Sequence, residues 1–213
     1  MQYSQKRKAV GALFVSAITA FVIVGAPAAH AALTTNSTLS QSIGSGTLST
    51  SIRDGSGVVV ASPSFSLAST TVSTSTQTAT GTWGSSTQRI TVDNPGGANN
   101  GWTLSLAATG GASATWVSGG NTYAFNGSAA TGQLTIDPSV ATLTVATGTT
   151  TGVTKGTSAA FSGATPITLL TAAGSSDDIW NGYITGVGVS QTIPASQPAG
   201  TYTISLTQTV TAQ

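Results

Sequence analysis

The chain is 213 residues long, with 5% charged residues, a formal net charge of +1 and no cysteine. Beyond residue 31 it has no His, Glu or Met, and its charges are Arg53, Arg89 and Lys155 against Asp54, Asp93, Asp137, Asp177 and Asp178. Acid-base and metal catalysis draw mainly on His, Cys, Glu and clustered Asp, and nucleic-acid or anionic-membrane binding needs a basic patch, so the composition speaks against all of these and for a non-enzymatic protein with no cofactor and no metal.

The positive charge is concentrated at the start. Lys6, Arg7 and Lys8 precede an apolar run from Ala9 to Val24, and Ala29-His30-Ala31 has the small-x-small form of a processing site. The run is shorter than the ~20 residues a membrane helix needs. Residues 1–31 therefore read as a secretory signal peptide cleaved after Ala31. The expected location is secreted: extracellular, at the cell surface or in the cell wall, with no membrane partner after cleavage. Residues 32–213 are then slightly acidic and large enough to bury one core without disulfides.

Along that domain the dominant period is two. Phe65 and Leu67, Ile90 and Val92, then Trp102, Leu104 and Leu106, and later Leu143 and Val145, alternate with polar residues as half-buried strands do. The Ser/Thr tract Thr70 to Thr82 reads either as a linker or as an exposed strand, and Thr147 to Gly152 either as a linker or as a long hairpin loop. Asn94-Pro95-Gly96-Gly97, Asn100-Gly101, Asn126-Gly127, Asp137-Pro138 and Asn181-Gly182 supply positive φ or fixed turns. In the last segment Tyr202, Ile204, Leu206, Gln208 and Val210 share one face and Thr201, Thr203, Ser205, Thr207 and Thr209 the other. No segment has a helical period. The expected fold is all-β, a single antiparallel β-sandwich of Ig-like or jelly-roll-like form.

The turn Val92-Asp93-Asn94-Pro95-Gly96-Gly97 followed by Gly101-Trp102-Thr103-Leu104 resembles the first signature of the WxL-domain cell-surface proteins. The segment Gly200-Thr201-Tyr202 with its alternating strand resembles the second, with Gln208 and Val210 where that family has its second Trp and Leu. The resemblance implies a WxL-like domain over residues 32–213. It also implies non-covalent association with Gram-positive-type cell walls through peptidoglycan. The expected partners are peptidoglycan or cell-wall polysaccharide, or other surface proteins, with self-association as a further class. A structural subunit of a fibre, pilus or surface layer that assembles by strand addition is the alternative. A carbohydrate-binding adhesin module is another.

Candidate contact residues are Trp102, Leu104, Tyr202 and Gln208 from the two signatures, with Trp116 and Trp180 read either as buried rings or as aromatics that stack on a sugar face. Trp102 shares its face with Leu104 and Leu106 and so also reads as a core anchor. Gln208 reads either as a wet amide on a fraying strand end or as a buried amide that demands hydrogen-bond partners. Asp177-Asp178 is the one carboxylate pair; in a loop with Ser175 and Ser176 it reads as a solvated turn, or as a source of calcium oxygens. Lys155 lacks a Ser-x-x-Lys setting and reads as a surface charge.

Overall fold

A computed structural model describes residues 37–213; the expected signal peptide, residues 1–31, lies outside the described residues. The chain forms strands throughout. From the N-terminal side these are β1 Ser49–Arg53, β2 Gln77–Trp83, β3 Arg89–Pro95, β4 Trp102–Ala108, β5 Thr115–Ser118 and β6 Asn121–Ala124. They continue as β7 Leu134–Asp137, β8 Thr142–Thr147, β9 Val153–Lys155, β10 Ala159–Ala160 and β11 Ile167–Ala172, and end with β12 Ile179–Thr185, β13 Val187–Ile193 and β14 Leu206–Ala212. Two single 3-10 turns, Gly111–Ser113 and Pro138–Val140, complete the described elements.

The strands pair antiparallel into three four-stranded sheets, β1-β3-β12-β8, β10-β7-β13-β2 and β14-β4-β11-β9, with β5-β6 as a separate hairpin. The expected all-β sandwich is what forms. Period-two alternation is the cause: Ile90 and Val92 on β3, Trp102, Leu104 and Leu106 on β4, and Trp180 and Ile184 on β12 all point inward and are buried. Trp102 and Trp180 meet with ring centroids 5.1 Å apart, joining the β4 sheet to the β12 sheet. A register shift between Thr168 and Leu170 on β11 breaks the alternation, so that Leu169 and Leu170 are both fully buried.

Two sheets share continuous strands. The pair β2/β13, with Trp83 opposite Val187, runs on into the pair β3/β12, with Ile90 opposite Ile184. The bend falls at Gly84 and Gly186, both at positive φ, where the Gly186 N–H donates to the Gly84 carbonyl at 2.9 Å. A side chain on Gly84 would press on Ile90 and on the backbone of Thr185. Only glycine gives the pair this corner.

The turn at Asn94 is built by one side chain. Asn94 is fully buried; its Oδ1 accepts from the Gly97 and Ala98 N–H groups at 3.0 and 2.9 Å, and its Nδ2 donates to the carbonyls of Ala98 and Asp178 at 3.2 and 3.0 Å. All of its hydrogen-bonding capacity is used, which fixes the loop that leads into β4.

Several sequence readings shift. Phe65 and Leu67 lie on extended chain that meets β2 only at a Leu67–Gly81 bridge, not in a strand. The tract Thr70 to Thr82 divides into irregular chain and β2. Residues Thr147 to Gly152 link β8 to β9 across two sheets instead of closing a hairpin. There Asp177 Oδ2 accepts from the Thr149 N–H and hydroxyl at 2.6 and 2.8 Å, so the carboxylate holds that loop. Among the described residues no three His, Cys, Asp or Glu side chains cluster. Lys155 is exposed, its ammonium donating to the carbonyls of Ser139 and Ala141.

Candidate binding cleft

The last strand sets the site. β14 pairs with β4 from Leu206↔Ala108 to Ala212↔Trp102, so Gln208 lies inside a paired strand and not on a free end. The Thr109 N–H donates to the Ser205 carbonyl at 2.9 Å, and the Gln213 N–H to the Gly101 carbonyl at 3.0 Å. These bonds assign the odd-numbered backbone groups to β4. The even-numbered groups, at Ile204, Leu206, Gln208 and Val210, face the other way, and among the described residues none has a backbone partner there. One edge of β14 is therefore open.

Beside that edge lies a cleft of about 420 Å³, lined by Ile52 of β1, Phe65, Trp83 of β2, Trp116 of β5, and Leu206 and Gln208 of β14 among others. Among the described residues that line it, none is charged. Phe65 stands edge-on to Trp83 at 6.0 Å between centroids and 88° between planes. The aliphatic walls come from residues far apart in sequence, from Ile52 to Leu206.

Two aromatic residues of the lining, Trp116 and Tyr202, are linked through Tyr123, which borders a neighbouring hollow. The Trp116 indole N–H donates to Gln191 Oε1 at 2.7 Å, and Gln191, fully buried, donates from Nε2 to the carbonyls of Thr192 and Ala124 at 2.7 and 3.4 Å. That buried amide fixes the Trp116 ring, which stacks on Tyr123 at 6.0 Å and 10°. Tyr123 in turn meets Tyr202 at 5.0 Å. Burial and then the neighbouring Tyr202 push the Tyr123 phenol up to about 12. Tyr202 is anchored at its hydroxyl, which accepts from Gln197 Nε2 at 2.7 Å and donates to the Pro198 carbonyl at 2.9 Å. It also borders a second, smaller hollow of about 270 Å³.

The six expected contact residues fall into two groups. Trp116, Tyr202 and Gln208 converge on the cleft. Trp102, Leu104 and Trp180 are corrected to core residues: each occupies an inward position of its strand, at most 1% exposed, and offers no surface to a ligand. Trp83 is buried as well. Gln208 is half-buried, not wet; its Nε2 donates to Thr50 Oγ1 at 2.8 Å, while its Oε1 is buried with no hydrogen-bond partner. Sequence reading missed Ile52, Tyr123 and Gln191. For Gln191 the available signal was an amide inside the run Val187 to Ile193, where a polar inward position calls for a fixed partner.

No protein-family model, curated protein or solved structure matches the chain.

Chemically, the cleft offers apolar walls, hydroxyls from residues such as Ser205, one amide and a row of unpaired backbone donors and acceptors. That equipment suits an extended polypeptide, whose backbone pairs with the edge while alternate side chains enter the cleft.

Proposed function

We propose that this is a non-enzymatic, exported cell-surface protein that acts by docking: its cleft takes an extended, uncharged segment of a neighbouring surface protein as an added strand beside β14. The open edge of β14 next to an apolar, charge-free cleft carries this reading. An exposed edge is ordinarily protected by charge, proline or a covering loop, and the stretch Ile204 to Val210 has neither charge nor proline.

A second reading follows from the resemblance to WxL-domain proteins and is favoured by the aromatic row Trp116, Tyr123 and Tyr202. In it the rim stacks on wall glycan and the protein associates with peptidoglycan. The unpaired edge of β14 favours the first reading, because an added strand satisfies those backbone groups and a sugar stacked on the rim does not.

Co-sedimentation of residues 32–213 with purified peptidoglycan sacculi, beside electron microscopy and analytical ultracentrifugation of the protein alone, separates the two. Self-association that Leu206→Arg abolishes supports docking at the cleft. Saturable binding to sacculi that Trp116→Ala abolishes and Leu206→Arg leaves intact favours the glycan reading.

A further inference from the structure

The segment that precedes β1 carries a pattern that the fold already uses. Leu39-Ser40-Gln41-Ser42-Ile43 repeats, class for class, Leu206-Thr207-Gln208-Thr209-Val210 of β14: aliphatic, hydroxyl, Gln, hydroxyl, aliphatic. Leu39 is 98% and Ile43 89% exposed, the two most exposed large apolar side chains among the described residues. Residues 37–48 include no charged side chain and residues 37–48 form no strand.

We infer that residues 38–44 of one copy are the strand that docks beside β14 of a second copy, so that the protein assembles head to tail. This rests on the docking reading of the cleft and names its occupant. Four observations converge. In an extended segment Leu39, Gln41 and Ile43 share one face, which gives two aliphatic side chains for a cleft walled by Ile52, Phe65 and Leu206. The backbone of the segment supplies the donors and acceptors that the even positions of β14 lack. Gln41 stands beside Gln208 when the two matching patterns are aligned, and this pairing sets the register. Neither surface carries charge, so association strips no ion of water.

The segment leads directly into β1. The Gly46 N–H donates to the Pro95 carbonyl at 2.8 Å, and Ser49 pairs with Asp93 at the far end of β1 from Ile52, the β1 residue in the cleft. Donor and acceptor are different surfaces, so the connection is head to tail and propagates wherever it closes neither into a ring nor by reciprocal exchange of arms.

The test is complementation between two full-length exported forms. One carries L39D together with I43D and keeps its cleft; the other carries L206R and keeps its arm. Circular dichroism and thermal melts establish that each folds, and L206P, which removes an outward N–H without touching the β4 ladder, is the second cleft variant. The expected result in sedimentation velocity is that the unsubstituted protein polymerises with concentration, each variant alone stays monomeric, and an equimolar mixture forms a discrete one-to-one complex. Q41A is expected to weaken self-association about tenfold. A monomeric unsubstituted protein at millimolar concentration overturns the inference. Polymerisation that survives L39D with I43D but is lost in L206R overturns the arm as occupant while leaving the cleft reading intact. Polymerisation unaffected by L206R and L206P overturns both.

Discussion

Trp102 and Trp180 occupy equivalent places on facing sheets but differ in one hydrogen bond, which yields a sharp prediction for their replacement by Phe. Both rings are buried, at 0% and 1% exposure, and pack on each other. The Trp180 indole N–H donates to the Thr149 carbonyl at 2.9 Å, whereas the Trp102 indole N–H is buried with no partner. Shrinking either ring to Phe costs about 2 kcal/mol in lost contacts and residual cavity. Trp102→Phe also removes a buried unsatisfied donor, which returns about 1–3 kcal/mol. Trp180→Phe instead gives up a hydrogen bond worth about 1 kcal/mol. The expected outcome is a near-neutral Trp102→Phe and a loss of about 3 kcal/mol for Trp180→Phe. In urea titrations followed by circular dichroism this separates the two midpoints by roughly 1 M or more, given slopes of about 1–3 kcal/mol per molar. Equal losses, or a larger loss for Trp102→Phe, would refute the assignment of Trp102 as an unpaired indole in a packed core.

Asn94→Ala is expected to destabilise by about 3 kcal/mol in the same titration, because Asn94 satisfies two N–H groups and two carbonyls of the loop before β4. Gly101→Ala should cost clearly more than Gly111→Ala: both sit at positive φ, with a strain of about 1–2 kcal/mol, but only at Gly101 would the new carbon collide with the Ala172 carbonyl. Thermal melts of the two variants check the order. For Tyr123, whose folded value of about 12 lies above the ordinary 10, the unfolded chain loses its proton first. Its contribution to stability is therefore full below pH 10 and declines as pH rises towards 12. Over that window the denaturation midpoint of the protein should fall relative to that of Tyr123→Phe, which has no phenol to ionise.

The core was legible where alternation was strong and local. Trp102, Leu104 and Leu106 declare one face of β4, and the turn Asn94 to Gly97 declares what precedes it. The cleft was not legible, since its walls come from β1, β2, β5, β7, β13 and β14, and no local pattern says which strands become neighbours. Phe65 and Leu67 alternate like a strand yet make only one bridge, because the pattern records burial against Trp83 and not pairing. Gln208 stayed open between a fraying end and a buried amide because its polarity was visible and its contact with Thr50, 158 positions away, was not. The unpaired edge of β14 emerged only once the parity of its bonds to β4 was known. The likeness between Leu39 to Ile43 and Leu206 to Val210 stands in the sequence throughout, and gains meaning only when one copy proves exposed and the other proves to be an open edge.

The most direct test of the account is amide hydrogen exchange, resolved by residue, along β14. In dilute protein the odd amides Thr207, Thr209 and Thr211 should be protected by β4, while Leu206, Gln208 and Val210 exchange rapidly. On docking of a strand at the cleft the even amides should slow by at least about 100-fold, with the odd ones little changed. Even amides already protected in the monomer, or unprotected in a demonstrated assembly, would contradict the claim that β14 is the docking edge.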